Sequence, residues 1–115
     1  MLKLSYTAKW FKTGEVEHLD TKLVAKLDVA REIAGIPFVI TSGFRSKEKN
    51  KAVGGVANSS HLTGLAVDLR SRTPYEALFV IKGLIKAGFE RIVYEGDHIH
   101  ADIDDSKPRG FFIKL

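Results

Sequence analysis

Ser59-Ser60-His61-Leu62-Thr63-Gly64-Leu65-Ala66-Val67-Asp68-Leu69 is the stretch whose reading decides the fold. Its second half alternates. Gly64, Ala66 and Asp68 share one parity, and Leu65, Val67 and Leu69 share the other. Period-2 patterning of this kind predicts a half-buried strand. The parity that carries the acid is otherwise almost bare of side chain, which reads as room for something bulky and charged beside Asp68. His61 precedes Asp68 by seven residues, and the pair reads either as a structural hydrogen bond or as part of a metal site. Imidazole and carboxylate are both common zinc ligands, and zinc requires a third protein ligand from elsewhere. Asp97-His98-Ile99-His100-Ala101-Asp102 is the other segment rich in histidine. Its alternating His98 and His100 move the reading towards metal. His18 reads as a surface residue or as a partner behind the ligands.

Outward from these two segments, Asp20 to Ala34 predicts a helix. Asp20 is placed to cap it, and Leu23, Val24, Leu27, Ala30 and Ile33 or Ala34 fall on one face. Gly35 and Pro37 stop it. Pro37 to Thr41 predicts a strand, so Ser42-Gly43-Phe44-Arg45-Ser46 lies just past a strand end. Arg45 there reads either as a surface ion pair or as a guanidinium gripping a carboxylate or a developing oxyanion. Lys47 to Ser60 is a polar connection in which Gly54-Gly55 marks unusual backbone torsions. Thr73-Pro74-Tyr75-Glu76 predicts a capping box with proline at the first helical position. The helix it opens runs to about Ala87, with Ala77, Leu78, Ile81, Leu84 and Ile85 as its expected buried stripe. Strands follow at Arg91–Glu95, His98–Ile103 and Gly110–Lys114, while Trp10, Phe11 and Val16 are expected to pack on as a lid or short strand. The expected class is α+β, a small antiparallel-rich sheet with packed helices.

Three motifs in order carry a resemblance. Ser59-x-His61-x-x-Gly64-x-Ala66-x-Asp68 followed by Asp97-x-x-His100 resembles the zinc D,D-peptidases of the M15 group, whose fold is shared with the hedgehog signalling domain. Ser42-Gly43-Phe44-Arg45-Ser46 resembles the arginine segment of that group, and Asn50 with Val53-Gly54-Gly55 its connecting loop. The likeness runs from about Asp20 to Asp102. It implies Zn2+ held by His61, Asp68 and His100, with Asp97 as general base and Arg45 supporting the transition state. His98 belongs to the site, stabilising the intermediate or bonding the base; it is also the alternative ligand to His100. Asp97 and His100 differ in parity, so both reach one site only if the chain bends near Gly96. Asp102 is expected to be structural or to stand behind the ligands. The implied substrates are peptidoglycan stem peptides, cut at D-Ala–D-Ala, L-Ala–D-Glu or a cross-bridge. The alternative within the resemblance is a zinc-binding module that does no catalysis.

Composition bounds these readings. The 115 residues suit a single domain, 1–115, with 44% hydrophobic and 28% charged residues. No apolar run is long enough to span a membrane. The chain has no cysteine, so any zinc is held by histidine and carboxylate, the donor set of open catalytic sites. The net charge of +4 is scattered, without the basic stripe and interleaved aromatics of a nucleic-acid binder; an anionic wall polymer accounts for it as well. A monomer is expected. Met1-Leu2-Lys3-Leu4-Ser5-Tyr6 does not read as a secretory signal, which fits a phage lysis enzyme or a catalytic fragment of a secreted protein.

Overall fold

The computed structural model describes residues 6–114. Helix α1 spans Thr21–Ala34. Asp20 caps it by accepting from the Lys22 N–H at 2.8 Å, and Gly35 ends it with φ +70°. Helix α2 spans Lys47–Ala52 and helix α3 Pro74–Lys86. Thr73 caps α3 by accepting from the Glu76 N–H at 3.1 Å. The capping box is only half made, because the Glu76 carboxylate turns to the backbone N–H of Arg72 at 2.7 Å. Five strands follow the chain: β1 Ile40–Ser42, β2 Ala66–Arg70, β3 Arg91–Tyr94, β4 His98–Asp102 and β5 Gly110–Ile113. They form one sheet in the order β1-β2-β4-β3-β5, antiparallel throughout except for the parallel β3–β5 pair. The α+β class and the antiparallel-rich sheet are as expected.

Sheet parity divides the molecule. Val67 and Leu69, Ile99 and Ala101, and Ile92 point to one side, where they are buried with Leu23, Leu27, Val80 and Leu84 of the helices. Asp68 and Arg70 and their register partners His100 and His98 point to the other. The helices thus supply the core, and the opposite face of the sheet is left for polar groups. Against α1 the helix α3 lies close: a Cβ at Gly83 would stand 2.4 Å from the Ala30 carbonyl oxygen.

Several expectations are corrected. Leu78 and Ile85 are exposed, at 60% and 56%; the buried stripe of α3 is Ala77, Val80, Gly83 and Leu84, with Ile81 half-buried. The strand expected at Pro37–Thr41 is shorter and later, Ile40–Ser42, with a register break between those two residues beside the site. No strand forms around Trp10, Phe11 and Val16. Phe11 is buried, Trp10 is exposed, and Thr13–Val16 is a 3-10 turn. The segment is held by an acid on α1 instead. Buried Asp28 accepts from the Tyr6 hydroxyl and from the backbone N–H groups of Lys9 and Trp10. Residues 1–5 of the expected lid lie outside the described residues.

Candidate metal centre

Each half of the centre has a local cause. Asp68 on β2 and His100 on β4 are direct partners in the antiparallel ladder, so pairing alone sets their side chains together. His61 comes from a 3-10 turn over Ser60–Thr63. Ser59 caps this turn, and three backbone bonds clasp it: the Arg45 N–H donates to the His61 carbonyl at 3.0 Å, Asp20 to Gly64 at 2.9 Å, and Ile103 to Leu65 at 3.0 Å. Gly64 closes the turn at φ +73°, and a Cβ there would stand 2.4 Å from the His18 carbonyl oxygen. Its missing side chain therefore serves chain crossing and not cation space, correcting the reading of the bare parity. Ala66, on the same parity, stands across the ladder from Asp102.

The three donor atoms of His61, Asp68 and His100 all lie within 4.8 Å of one another. Asp68 Oδ1 is 3.2 Å from His61 Nε2 and 3.1 Å from His100 Nδ1. The outward nitrogen of each ring has its own acceptor. His61 Nδ1 lies 2.7 Å from the Gly43 carbonyl oxygen, and His100 Nε2 lies 2.6 Å from Asp102 Oδ2. Those acceptors are placed to hold the N–H on the outer side of each ring when the inner nitrogen is given to a metal, as for metal-ligating histidines. The residues fit a zinc ion: two inward lone pairs and one carboxylate oxygen, buried, with no thiolate. Burial raises the Asp68 pKa, but hydrogen bonds from His100 and His61 outweigh it and hold the carboxyl well below its usual range. Burial lowers that of His100, but Asp102 and Asp68 outweigh it and push the ring up to about 9.

Arg45 joins from the end of β1. Its guanidinium lies 3.4 Å from Asp68 Oδ2 and is steadied by Ser42 Oγ at 3.0 Å and Asn50 Oδ1 at 3.4 Å. Gly54 has the left-handed torsion expected, φ +73°; Gly55 does not, and is glycine because a Cβ would strike the Asn50 side chain at 2.0 Å. Asn50 in turn donates to the Val56 carbonyl at 2.8 Å, so the loop holds the arginine's partner in place.

His98 stands at the rim, its Nε2 3.9 Å from Asp68 Oδ2 and 3.0 Å from Glu95 Oε2. Burial lowers its pKa, but Asp97, Asp68 and Glu95 outweigh this and raise it. Asp97 precedes β4, its side chain is 92% exposed, and it reaches the cluster only through His98 Nδ1 at 2.7 Å. The chain bends at Gly96, φ +88°, yet the bend does not turn the Asp97 carboxylate onto the triad. His18 is exposed, packs its ring against Phe44 and stays apart from the donors. One contributor, Glu95, carried no pattern in the sequence, while Asp102 stands behind His100 on the parity expected of it. Glu95 follows the end of β3 with no partner in parity. Asp102, fully buried, accepts from His100 and from Arg91 Nε at 3.0 Å.

The profile of the Peptidase M15 family matches residues 3–102. This chain belongs to the peptidase M15 family. Among solved structures it is similar to the L-Ala D-Glu endopeptidase ChiX of Serratia marcescens, with a TM-score of 0.58 and 23% identity over 86% of this chain and 89% of that one. That likeness supports the shared fold. No curated protein matches the chain. Within the described residues, no helix of this M15 member is long and apolar enough to cross a membrane.

Proposed function

We propose that this chain is a zinc-dependent peptidase that hydrolyses peptide bonds in bacterial peptidoglycan stem peptides. The observation that carries the reading is the inward focus of His61 Nε2, His100 Nδ1 and Asp68 Oδ1, each ring locked from behind. Zinc bound there would supply a Lewis acid and acidify a water, leaving a fourth position open. The remaining work belongs to the chain's own groups. Arg45, oriented by Ser42 and Asn50, would hold a substrate carbonyl oxygen or carboxylate with charge-assisted hydrogen bonds. His98, with carboxylates on both ring nitrogens, is positioned to donate to an oxygen that gains charge. Asp97 is the proposed base; it sits at the rim on His98 Nδ1, and to take a proton from a water at the triad its carboxylate would have to leave that contact. That the structural neighbour is an L-Ala D-Glu endopeptidase supports an L-Ala–D-Glu specificity, with D-Ala–D-Ala and cross-bridge bonds as competing outcomes. A role as a phage lysis enzyme is consistent with this chemistry. The protein is proposed to act as a monomer.

One observation favours a second reading, a zinc module that binds without cleaving: the Asp97 carboxylate is exposed and bonds His98, not a member of the triad. Mass spectrometry of muropeptides incubated with zinc-loaded protein decides between them. The peptidase reading expects new termini at one stem-peptide bond, abolished by chelation. Zinc-loaded protein that leaves every wall preparation intact would establish the second.

A further inference from the structure

Asp68 presents two oxygens, and the centre described above uses one. Its Oδ1 faces His61 and His100; its Oδ2 faces Arg45 Nη2 at 3.4 Å and His98 Nε2 at 3.9 Å. Glu95 Oε2 lies 3.0 Å from the same His98 nitrogen. Donor atoms of Asp68, Glu95 and His98 all lie within 4.8 Å of one another, a second cluster beside the first. His98 is oriented as a ligand is oriented: its Nδ1 is taken by Asp97 at 2.7 Å, and its Nε2 is aimed inward at two carboxylates. The cluster is only partly buried, with His98 30% and Glu95 21% exposed, so an ion can reach it from solvent.

We propose a second divalent-cation site formed by Asp68 Oδ2, Glu95 and His98, with the Asp68 carboxylate bridging it to the first. Two carboxylate oxygens and one imidazole suit zinc or another first-row divalent ion. The site is the weaker of the two because the Arg45 guanidinium already lies on Asp68 Oδ2, and an incoming cation has to displace it or bear its charge. Occupation would take the His98 nitrogen and set a cation beside the Arg45 guanidinium, the two groups given to substrate above. Excess metal would then act as a brake. The brake rests on the proposed peptidase reading; the binding does not.

Calorimetric titration of the metal-free full chain with zinc, with native mass spectrometry for stoichiometry, tests it. Two equivalents are expected, the second weaker by about ten-fold or more. Glu95→Gln and His98→Ala should each retain the tight equivalent and lose the weak one. Arg45→Ala should tighten the weak one, by about three-fold or more. With cobalt in both sites, the electron paramagnetic resonance signal should show coupling through the shared carboxylate. A single equivalent up to millimolar zinc would overturn the proposal. So would a weak equivalent that survives both substitutions, since it would lie elsewhere. His61→Ala separates the two readings: it should abolish the tight equivalent, and failure there counts against the first centre alone.

Discussion

Replacing Asp102 by asparagine tests whether the centre is built from behind. The carboxylate accepts three hydrogen bonds: from His100 Nε2 at 2.6 Å and Arg91 Nε at 3.0 Å on Oδ2, and from the Asp104 N–H at 3.1 Å on Oδ1. All three partners are donors. An asparagine can set its oxygen where Oδ2 was, keeping His100 and Arg91 but turning its NH2 onto the Asp104 N–H. The opposite flip sets the NH2 against two donors and is worse. The favoured rotamer therefore loses the hydrogen bond from the Asp104 N–H and the negative charge. The stability cost should be about 1–3 kcal/mol. The larger consequence is at the metal, since His100 loses a charged acceptor that raises its basicity and fixes its inward nitrogen. Zinc affinity should fall by about 10–100-fold, equivalent to about 1.4–2.7 kcal/mol.

The assay is competition against a chelator of known affinity, run beside urea unfolding of the metal-free protein. Arg91→Ala serves as the control. It removes the other side-chain partner of Asp102, and with it the stacking of the guanidinium over Phe112 at 5.1 Å, but leaves the His100 contact in place. It should lower stability while zinc affinity stays near that of the parent chain. Asp102→Asn binding zinc within two-fold of the parent, or Arg91→Ala losing affinity as steeply, would refute the reasoning, because charge behind His100 would then not be what sets the ligand.

Three further outcomes follow from the geometry. Gly64→Ala should destabilise the fold by about 1–3 kcal/mol and weaken zinc binding, because the new Cβ meets the His18 carbonyl in a left-handed backbone beside His61; unfolding midpoints and chelator competition read both. Val80→Ala should cost about 2 kcal/mol or more whereas Leu78→Ala stays within about 0.5 kcal/mol, and equal losses in denaturant titration would contradict the assigned stripe. Without metal, the His100 contribution to stability is full below pH 6.5 and is lost as pH rises through about 9, while that of Asp68 is present above pH 3.8 and lost on acidification; unfolding in chelator from pH 5 to 10 should decline on the alkaline side, and a flat profile would rule this out.

What was legible in the chain follows from what repeats locally. Helices α1 and α3 announce themselves through caps and stops, and β2 and β4 through alternation. Because His98 and His100 share a parity, and Asp68 ends an alternating run, pairing those two strands brings Asp68 onto His100 with little left to choose. The stripe of α3 was misjudged because Ala77-Leu78-Phe79-Val80-Ile81 is apolar all round. Only the approach of α1 at Gly83 selects the face that is buried. Asp28 was illegible for a related reason: an acid on a helix is ordinarily solvated, and its partners are backbone N–H groups that no side-chain pattern reveals. Glu95 and Asp97 sit at the β3–β4 turn, where the direction of each side chain depends on the torsion of Gly96 and not on period.

Counting hydrogens shows why the converging groups ask for a divalent ion. His61 and His100 together have four ring nitrogens, and each faces an acceptor: the Gly43 carbonyl, Asp102, and Asp68 Oδ1 twice. Two neutral imidazoles carry only two N–H groups. The outer acceptors claim them, at 2.7 and 2.6 Å, against 3.2 and 3.1 Å on the inner side. As neutral rings, the two imidazoles would turn their inner nitrogens on a carboxylate with lone pair against lone pair. Without metal, protonation relieves this at His100, whose ring is pushed up to about 9, at the cost of a charged imidazole in a buried place near the Arg45 guanidinium. One doubly charged cation supplies charge at a single point and satisfies all three acceptors at once. The shorter outer contacts thus favour a cation at the inner cluster, and Gly43 and Asp102 would serve the proposed site as much as its ligands would.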